Sequence, residues 1–170
     1  MKNDRIEKII SLLQLKPLPD EGGLFFETYR SEICLVKECL PADYQGGRNI
    51  STAIYYMLTN DPVRVSKLHC LKSDEIYHFY LGDPVEMMLL YPDGSSGRIT
   101  LGQNIFKGQY LQFVVPKGTW QGSYLLPGGD FALMGTTVSP GFDFSDTQLG
   151  VQRDLIHKYP DREELIKKLT

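Results

Sequence analysis

The 170-residue chain has few cysteines, no long apolar run and no excess of basic residues. Cys34, Cys39 and Cys70 are an odd number of cysteines without a CxxC pair, which disfavours a disulfide framework and a thiolate zinc site. Lys and Arg number 18 against 21 Asp and Glu, so the formal net charge is −3. A protein that grips a nucleic-acid backbone needs a basic surface. We therefore expect no nucleic-acid partner.

No apolar stretch approaches the roughly 18 residues of a membrane span, so we expect no membrane contact. The first residues lead into an amphipathic segment and not into an apolar signal core, which predicts a reduced, cytoplasmic protein. Apolar residues make up 42% and charged residues 23% of the chain, values typical of a globular domain. The length fits one domain, which we place over residues 1–170.

Apolar periodicity divides the chain into helical ends and a strand-rich body. Residues at helical spacing predict a helix over about 4–14 and further helices over about 151–169. From about 24 to 138, aromatic and β-branched runs alternate with short turns that contain Gly, Pro, Asp and Asn. No helical pattern separates these runs, so a parallel α/β sheet is disfavoured. The spacing predicts an all-β antiparallel sandwich or barrel.

Histidine is scarce, yet two of the three histidines, His69 and His78, lie within ten residues that also hold Glu75. Strand alternation puts Glu75 and Tyr77 on one face of their strand and His78 on the other. Across the turn at 72–74, we expect His69 to oppose Glu75 on the paired strands of a hairpin. Such a pair could share a proton, orient a base or hold a metal, or it could be purely structural.

The spacing of these residues resembles the first motif of the cupin superfamily, which reads His-x-His, three or four residues, Glu, six residues, Gly. His69, Glu75 and Gly82 match it, and Pro116-Lys117-Gly118-Thr119-Trp120-Gln121 resembles the second motif, with Gln121 in place of its histidine. Neighbouring segments resemble a branch of small single-domain cupins whose activity is largely unassigned. The resemblance implies a double-stranded β-helix (a jelly-roll barrel) with short terminal helices, a central pocket and pairing into a homodimer.

Two departures from the cupin pattern bear on metal binding. Leu71 and Gln121 stand where a typical metal cupin has its other two histidines. Leucine cannot ligate a metal, and glutamine offers only a neutral carbonyl oxygen. A divalent metal, if bound, would have to use His69, Glu75, His78 and Gln121, and His78 would need a bulge to turn it inward. Two good ligands fall short of the three expected at a catalytic metal site, so we predict no tightly bound metal.

Metal-free cupins suggest another chemistry. The deoxythymidine-diphosphate-sugar epimerases are cupin-like barrels with a histidine base, an assisting carboxylate and a tyrosine acid, and His69 with Glu75 is similar in type. A neutral imidazole with a pKa near its unperturbed value of about 6.5 suits proton abstraction next to a carbonyl. Tyr29, Tyr55 or Tyr77 could supply the acid, of which we take Tyr77 as the candidate.

Seven further residues are candidate ligand contacts within the expected barrel. An arginine could hold an anionic substituent, the tryptophan could stack on a planar ligand or sugar face, and glutamine amides could bind a polar ligand. These candidates are Tyr29, Arg48, Thr52, Ser66, Gln112, Trp120 and Gln121.

The function predicted from the sequence is binding of a small polar ligand with metal-independent, isomerase- or epimerase-like proton transfer on a carbohydrate or nucleotide-sugar. Two alternatives stay open at this point. One is a divalent-metal enzyme with a reduced ligand set, and the other is a non-catalytic cupin that binds or senses a small molecule.

Overall fold

The computed structural model describes residues 2–61 and 64–170, which form a β-rich body with helical ends. The α-helices are α1 (Lys2–Leu12), α2 (Gln152–Lys158) and α3 (Glu163–Lys168). The strands are β1 (Lys16–Pro17), β2 (Leu24–Arg30), β3 (Cys34–Leu35), β4 (Arg48–Asn49), β5 (Thr52–Thr59), β6 (Val65–Leu71), β7 (Asp74–Gly82), β8 (Val85–Leu90), β9 (Ser96–Leu101), β10 (Gln112–Val115), β11 (Trp120–Leu125), β12 (Phe131–Ser139) and β13 (Thr147–Leu149). Within this part of the chain, no helix is both long and apolar enough to cross a bilayer.

Two antiparallel sheets face each other and enclose the core. One has the order β1-β2-β5-β12-β7-β10 and the other β13-β6-β11-β8-β9, while β3 and β4 form a separate ribbon. From β5 to β8, and again from β10 to β12, successive strands alternate between the two sheets. This alternation is the jelly-roll arrangement, so the predicted all-β barrel with short terminal helices is confirmed.

Strand β8 is buried on both sides from Met87 to Leu90, which explains why these four consecutive residues are apolar. Met87 and Leu89 join the cluster between the two sheets. Met88 and Leu90 point to the opposite face, where they pack with residues of the C-terminal helices, including Leu155 and Ile166 on α2 and α3. A strand covered on both faces needs no polar alternation. The C-terminal helices therefore complete the outside of the five-stranded sheet.

Helix α1 covers the outside of the six-stranded sheet. The apolar residues that predicted it pack against a cluster that includes Met57, Phe131 and Leu133 on β5 and β12. The apolar residues that pack in this way are Ile6, Ile9, Ile10 and Leu13. Both terminal helical regions thus close the outer faces of the sheets and leave the space between the sheets for the core and the site.

The predicted hairpin of β6 with β7 is wrong. Strand β6 pairs with β11 and β13, whereas β7 pairs with β10 and β12 in the other sheet. The turn between them is a corner, anchored by Ser73, whose hydroxyl donates to the carbonyl of Pro140 at 2.9 Å. A short turn can cross to the facing sheet as well as return along the same one. Local sequence does not distinguish the two outcomes.

The start of β11 also differs from its sequence-based expectation. The aromatic and β-branched pattern begins at Ser123, but the strand begins at Trp120 and includes Gln121 and Gly122. Strand β11 lies between β6 and β8 and pairs with both. These two ladders satisfy its backbone groups irrespective of local propensity. Gln121 is therefore a buried strand residue whose side chain faces inward to Glu75.

Arg48 was predicted to bind an anionic ligand, but in the structure its guanidinium is committed to Asp146. Its Nε and Nη2 atoms donate to the Asp146 carboxylate at 2.6 and 2.8 Å, and both side chains are buried. Arg48 does not line the barrel cavity described below. The ligand-binding role predicted for Arg48 is therefore wrong, because the carboxylate that pairs with it lies almost a hundred residues away in sequence.

Replacing Arg48 should destabilise the fold because it leaves the buried Asp146 carboxylate without its main partner. We expect Arg48→Met to lower the free energy of unfolding by about 3 kcal/mol, measured by urea denaturation. The matched control is Arg153→Met, since the Arg153 side chain is 90% exposed and should change stability by less than about 0.5 kcal/mol. Equal effects of the two substitutions would contradict this assignment.

Candidate functional site

A cavity of about 230 Å³ lies between the two sheets. Its inner lining consists of buried polar side chains from four strands and from the turn before β2. The inner polar residues are Glu21, Thr52, Tyr56, His69, Glu75, Tyr77 and Thr136. Its outer lining includes the exposed residues Glu27, Arg30, Asp143 and Phe144. The cavity is therefore buried at one end and reaches solvent at the other.

His69 and Glu75 come from facing sheets and meet inside the cavity. The His69 Nε2 atom lies 4.0 Å from the Glu75 Oε2 atom, and both side chains are less than a tenth exposed. Gln121 pairs with His69 across β11 and β6 and donates its amide to Glu75 Oε2 at 2.6 Å. A carboxylate can only accept, so the amide nitrogen faces Glu75. The Gln121 Oε1 atom is left buried without a hydrogen-bond partner.

A second carboxylate, Glu21, lies on the other side of the His69 ring. Its Oε1 atom is 3.8 Å from His69 Nδ1 and accepts a hydrogen bond from the Ser66 hydroxyl at 3.0 Å. The Nδ1 atom is also 2.8 Å from the Lys67 carbonyl. Because a carbonyl cannot donate, Nδ1 carries a hydrogen and donates it there. The imidazole is therefore held in a fixed orientation between two carboxylates.

The sequence analysis missed Glu21 because it lies in a turn that reads as a surface loop. Gly22 and Gly23 follow it, and Gly23 has φ 78°, a left-handed conformation that favours glycine. A Cβ atom on Gly23 would overlap the ring of Tyr56, which is buried in the barrel. The glycine thus lets the turn pack against the barrel interior. The adjacent glycines after an acidic residue are the one signal that could have indicated this.

The two carboxylates determine the protonation of His69. Burial lowers the pKa of the imidazole, but Glu21 and then Glu75 raise it more, to about 9. Burial in turn raises the pKa of Glu21 above its ordinary value. His69 is therefore protonated at neutral pH. The predicted neutral imidazole with a pKa near 6.5 is wrong, because the second carboxylate was not foreseen.

Two buried tyrosines complete the inner cavity as hydrogen-bond donors. Burial, together with the charge of Glu21, raises the pKa of Tyr56 well above its ordinary value. Burial and the charge of Glu75 do the same for Tyr77. Both phenols therefore stay protonated across the physiological range. Tyr77 lines the same cavity as His69 and Glu75, and the catalytic roles of the three residues stay predictions.

The structure brings some of the other candidates to the cavity. Thr52 is buried in its lining, and its hydroxyl accepts from the backbone N–H of Phe142 at 2.9 Å. Ser66 reaches the site through its hydrogen bond to Glu21. Gln121 reaches it through Glu75. Two of these three candidates thus act through a carboxylate that lines the cavity.

Besides Arg48, three candidates lie outside the cavity because of their positions on the strands. Gln112 pairs with His78 across β10 and β7, and its amide hydrogen-bonds the His78 ring on the outer face of the sheet. A register shift between Glu27 and Tyr29 reverses the alternation on β2, and Tyr29 is 53% exposed. Trp120 packs against the cluster under the C-terminal helices. Direct ligand contact of Tyr29, Gln112 and Trp120 inside the barrel is therefore wrong.

His78 is the remaining member of the metal-ligand set considered from the sequence. Its Nε2 atom is 3.1 Å from the Thr137 hydroxyl and its Nδ1 atom is 3.1 Å from the Gln112 amide. These partners lie on the outer face of the six-stranded sheet. The register shift between β12 and β7 lies at Leu133 and Met134, beyond the Gly135–His78 pair, and does not turn His78 inward. His78 therefore cannot join His69 and Glu75 at one ion.

Two facing antiparallel sheets that enclose a buried polar cavity define a barrel of the cupin type. The chain belongs to the cupin superfamily: the family model described as "Cupin superfamily (DUF985)" matches residues 7–150. This chain is 37% identical over 135 residues to the uncharacterized protein YML079W of Saccharomyces cerevisiae. That match covers 74% of this chain and 66% of the yeast protein, slightly less than two thirds of its length.

Solved structures agree with this assignment. A hypothetical protein from Leishmania major superposes with a TM-score of 0.85 at 31% identity, covering 96% of this chain and 97% of that one. A protein from Shewanella oneidensis gives a TM-score of 0.81 at 32% identity and covers 96% of each chain. The oxalate decarboxylase of Bacillus subtilis gives a TM-score of 0.53 at 16% identity, covering 92% of this chain and 37% of that one. The last likeness concerns the fold alone. Pairing into a homodimer and a cytoplasmic location stay predictions.

The residues at the cupin metal position do not fit a transition-metal ion. Leu71 contributes an apolar side chain to the cavity, and Gln121 turns its amide nitrogen toward Glu75. Glu21 and Glu75 lie near opposite nitrogens of His69, so one ion could not contact all three side chains. Within residues 2–61 and 64–170, no three His, Cys, Asp or Glu side chains are grouped as metal ligands.

The pKa of His69 predicts a pH-dependent contribution to stability. Below about pH 6.5 the imidazole is charged in both the folded and unfolded states, and its ion pairs stabilise the fold fully. Between 6.5 and 9 the unfolded chain releases this proton while the folded chain retains it. The stability of wild type relative to His69→Gln should therefore fall by about 3 kcal/mol across this interval, measured by urea denaturation at each pH. Parallel pH profiles of the two proteins would contradict the raised pKa.

The donor set predicts weak metal binding. Elemental analysis of protein purified without chelator should find manganese, iron, nickel and zinc below one equivalent, because a catalytic site needs three good ligands. The double variant Leu71→His/Gln121→His restores the two histidines of the cupin pattern and should bind Mn²⁺ or Zn²⁺ more tightly in calorimetric titration. One equivalent of metal in the wild type that is lost in His69→Gln would overturn this prediction.

Proposed function

We propose that this cupin binds a small polar ligand in the barrel and transfers protons to and from it without a metal ion. The reaction is isomerase- or epimerase-like, on a carbohydrate or on the sugar end of a nucleotide-sugar. The observation that carries the proposal is the buried His69 ring between Glu21 and Glu75, in a cavity that opens to solvent. Acid and base groups whose pKa values are perturbed by burial and by charged neighbours in a cleft are typical of proton-transfer sites.

His69 is the acid of this scheme. With Nδ1 held by the Lys67 carbonyl, the second proton of the imidazolium is on Nε2, toward Glu75. A pKa of about 9 keeps that proton in place at neutral pH and makes it available to an oxygen that gains negative charge. In the scheme expected from the metal-free cupins the histidine is the base and a carboxylate assists it. Here the histidine is the acid and a carboxylate is the base.

Glu21 is the better base of the two carboxylates. Glu75 already accepts the Gln121 amide at 2.6 Å, so its Oε2 atom is occupied by a protein donor. Burial raises the pKa of Glu21, which suits it to accept a proton from carbon next to a carbonyl group. The phenol of Tyr77 supplies a neutral donor for that carbonyl oxygen, whereas the Tyr56 hydroxyl donates to the Gly22 carbonyl at 3.1 Å.

The cavity size limits what it can enclose. Its volume of about 230 Å³ is below the roughly 300–1,000 Å³ of pockets for drug-sized ligands. A single sugar ring or a molecule of similar size suits this volume better than a complete nucleotide-sugar. If the substrate is a nucleotide-sugar, its nucleotide part lies outside, beyond Arg30 and Phe144.

Solvent deuterium exchange tests the proposed chemistry. A panel of aldoses and ketoses is incubated with the protein in D₂O, and proton NMR follows the hydrogen on the carbon next to the carbonyl. We expect the protein to accelerate exchange for at least one sugar. His69→Gln and Glu21→Gln should each slow it by at least about 100-fold, since each removes a proton-transfer group.

The matched control is His78→Gln, which replaces a histidine on the outer face of the same sheet. This variant should exchange deuterium at the wild-type rate, and thermal melts should show that all three variants fold. Exchange that survives both His69→Gln and Glu21→Gln would contradict the assigned roles. Ligand binding without any exchange would favour the non-catalytic binding or sensing alternative.

A further inference from the structure

We infer that the barrel cavity selects a small organic cation, a ligand that carries an ammonium group, over neutral and anionic molecules of the same shape. This inference deepens the proposed function and rests on it, since it assigns the ligand class of the same cavity. An amino sugar, which joins a sugar ring to an ammonium group, satisfies both the proposed sugar chemistry and the preference for a cation.

The first argument is the excess of negative charge around the cavity. Four acidic and two basic side chains line it among the described residues. They are Glu21, Glu27, Glu75, Asp143, Arg30 and His69. With all six ionised the lining carries two negative charges in excess, and with one carboxyl protonated it still carries one. A cavity with walls of low dielectric concentrates such a field, which attracts cations and repels anions.

The second argument is that Arg30 has no donor left for an anionic ligand. Its Nε and Nη2 atoms donate to the two carboxylate oxygens of Glu27 at 2.9 and 2.7 Å. Its Nη1 atom donates to Asn49 Oδ1 at 2.9 Å, and Nη1 and Nη2 both donate to the Phe142 carbonyl at 3.2 Å. A guanidinium has five N–H groups, and these bonds use all five.

The positive charge of His69 is likewise directed at the protein. Nδ1 donates to the Lys67 carbonyl at 2.8 Å, and Nε2 faces Glu75. Glu21 lies 3.8 Å from the same ring. A carboxylate or phosphate that reached Nε2 would lie next to Glu75, whose Oε2 atom is 4.0 Å from that nitrogen, and would be repelled by its charge. The buried histidine therefore does not provide an anion site.

The third argument is the aromatic share of the lining. Phe25, Tyr56, Tyr77, Phe142 and Phe144 contribute rings to the same cavity. Phe142 and Phe144 contact each other edge to face, with ring centroids 5.1 Å apart, and Phe144 is 62% exposed at the outer end. The face of an aromatic ring attracts a cation, and aromatic cages are the common way to recognise ammonium groups. The carboxylates and the aromatic rings of the lining together suit the binding of an ammonium group.

The unpartnered acceptor beside Glu75 is consistent with a donor-rich ligand. Gln121 Oε1 is buried and has no hydrogen-bond partner, and its amide nitrogen already belongs to Glu75. A buried acceptor without a donor is unfavourable, so this end of the site calls for a donor. Ammonium and hydroxyl groups are donors, whereas a carboxylate is not.

A matched set of three sugars tests the ligand class on the full chain. Glucose, glucosamine and glucuronate share the same sugar ring. Glucosamine has an ammonium group in place of one hydroxyl of glucose, and glucuronate has a carboxylate in place of the hydroxymethyl group. Choline adds an ammonium probe without a ring. Calorimetry or ligand-observed NMR at constant salt measures binding. We expect glucosamine to bind at least about tenfold more tightly than glucose, and glucuronate more weakly than both. Equal affinities, tightest binding of glucuronate, or no binding of either ammonium probe would overturn the inference.

Two variants and a control connect the preference to the cavity. Glu21→Gln should reduce the preference for glucosamine over glucose by about tenfold, and Phe144→Leu, at an exposed position that should not disturb folding, should weaken choline binding. The control is Glu164→Gln, because the Glu164 side chain is 91% exposed on α3. This control should leave both affinities unchanged. Equal losses in Glu164→Gln and Glu21→Gln would assign the effect to net charge alone and overturn the inference.

The binding and exchange experiments can each overturn one of the two proposals without affecting the other. Selective ammonium binding without deuterium exchange into any sugar would overturn the proposed proton transfer and leave the ligand class intact. Exchange into glucose or glucuronate but not into glucosamine would overturn the ligand class and leave the proton transfer intact.

Discussion

The burial of one imidazolium between two carboxylates is the interaction on which the site depends. A buried charge is stable only where partners compensate the loss of hydration. His69 has Glu75 from the facing sheet on one side and Glu21 from a glycine turn on the other. The facing sheets, the corner at Ser73 and the packing of the turn against Tyr56 all serve to bring these three groups together. Without that convergence, each would be an unpaired ion in an apolar barrel.

The same arrangement explains why the cupin framework persists here without the usual donor set. The histidine and glutamate of the first motif remain, but Leu71 and Gln121 replace the other two ligands. Glu21 takes a place on the far side of the imidazole, where it neutralises the ring charge and cannot share an ion with Glu75. In place of a shared metal ion, the site holds an imidazole ring between two carboxylates.

Charge and shape act together at the open end of the barrel. The N–H groups of Arg30 all donate to Glu27, Asn49 and the Phe142 carbonyl. Arg30 therefore orders the rim, that is, the outer lining of the cavity, and has no donor left for a ligand. The rim thus holds Phe142 and Phe144 near the entrance, while the interior remains acidic. A molecule that enters passes Phe144 together with the Glu27 and Asp143 carboxylates first and reaches Glu21 and Glu75 afterwards. This order suits a ligand with a positively charged group.

Sequence alone determined the barrel class, the terminal helices and the importance of His69 and Glu75, because hydrophobic period, turn chemistry and motif spacing are local properties of the chain. Only the tertiary structure decided that β6 and β7 lie in different sheets, that Glu21 reaches the cavity, and that Arg48, Tyr29 and Gln112 do not. The Arg48–Asp146 and His69–Glu21 pairs join residues 98 and 48 positions apart. No local pattern encodes such contacts. They arise from how the two sheets close on each other, and that closure also decides which protonation state the histidine adopts.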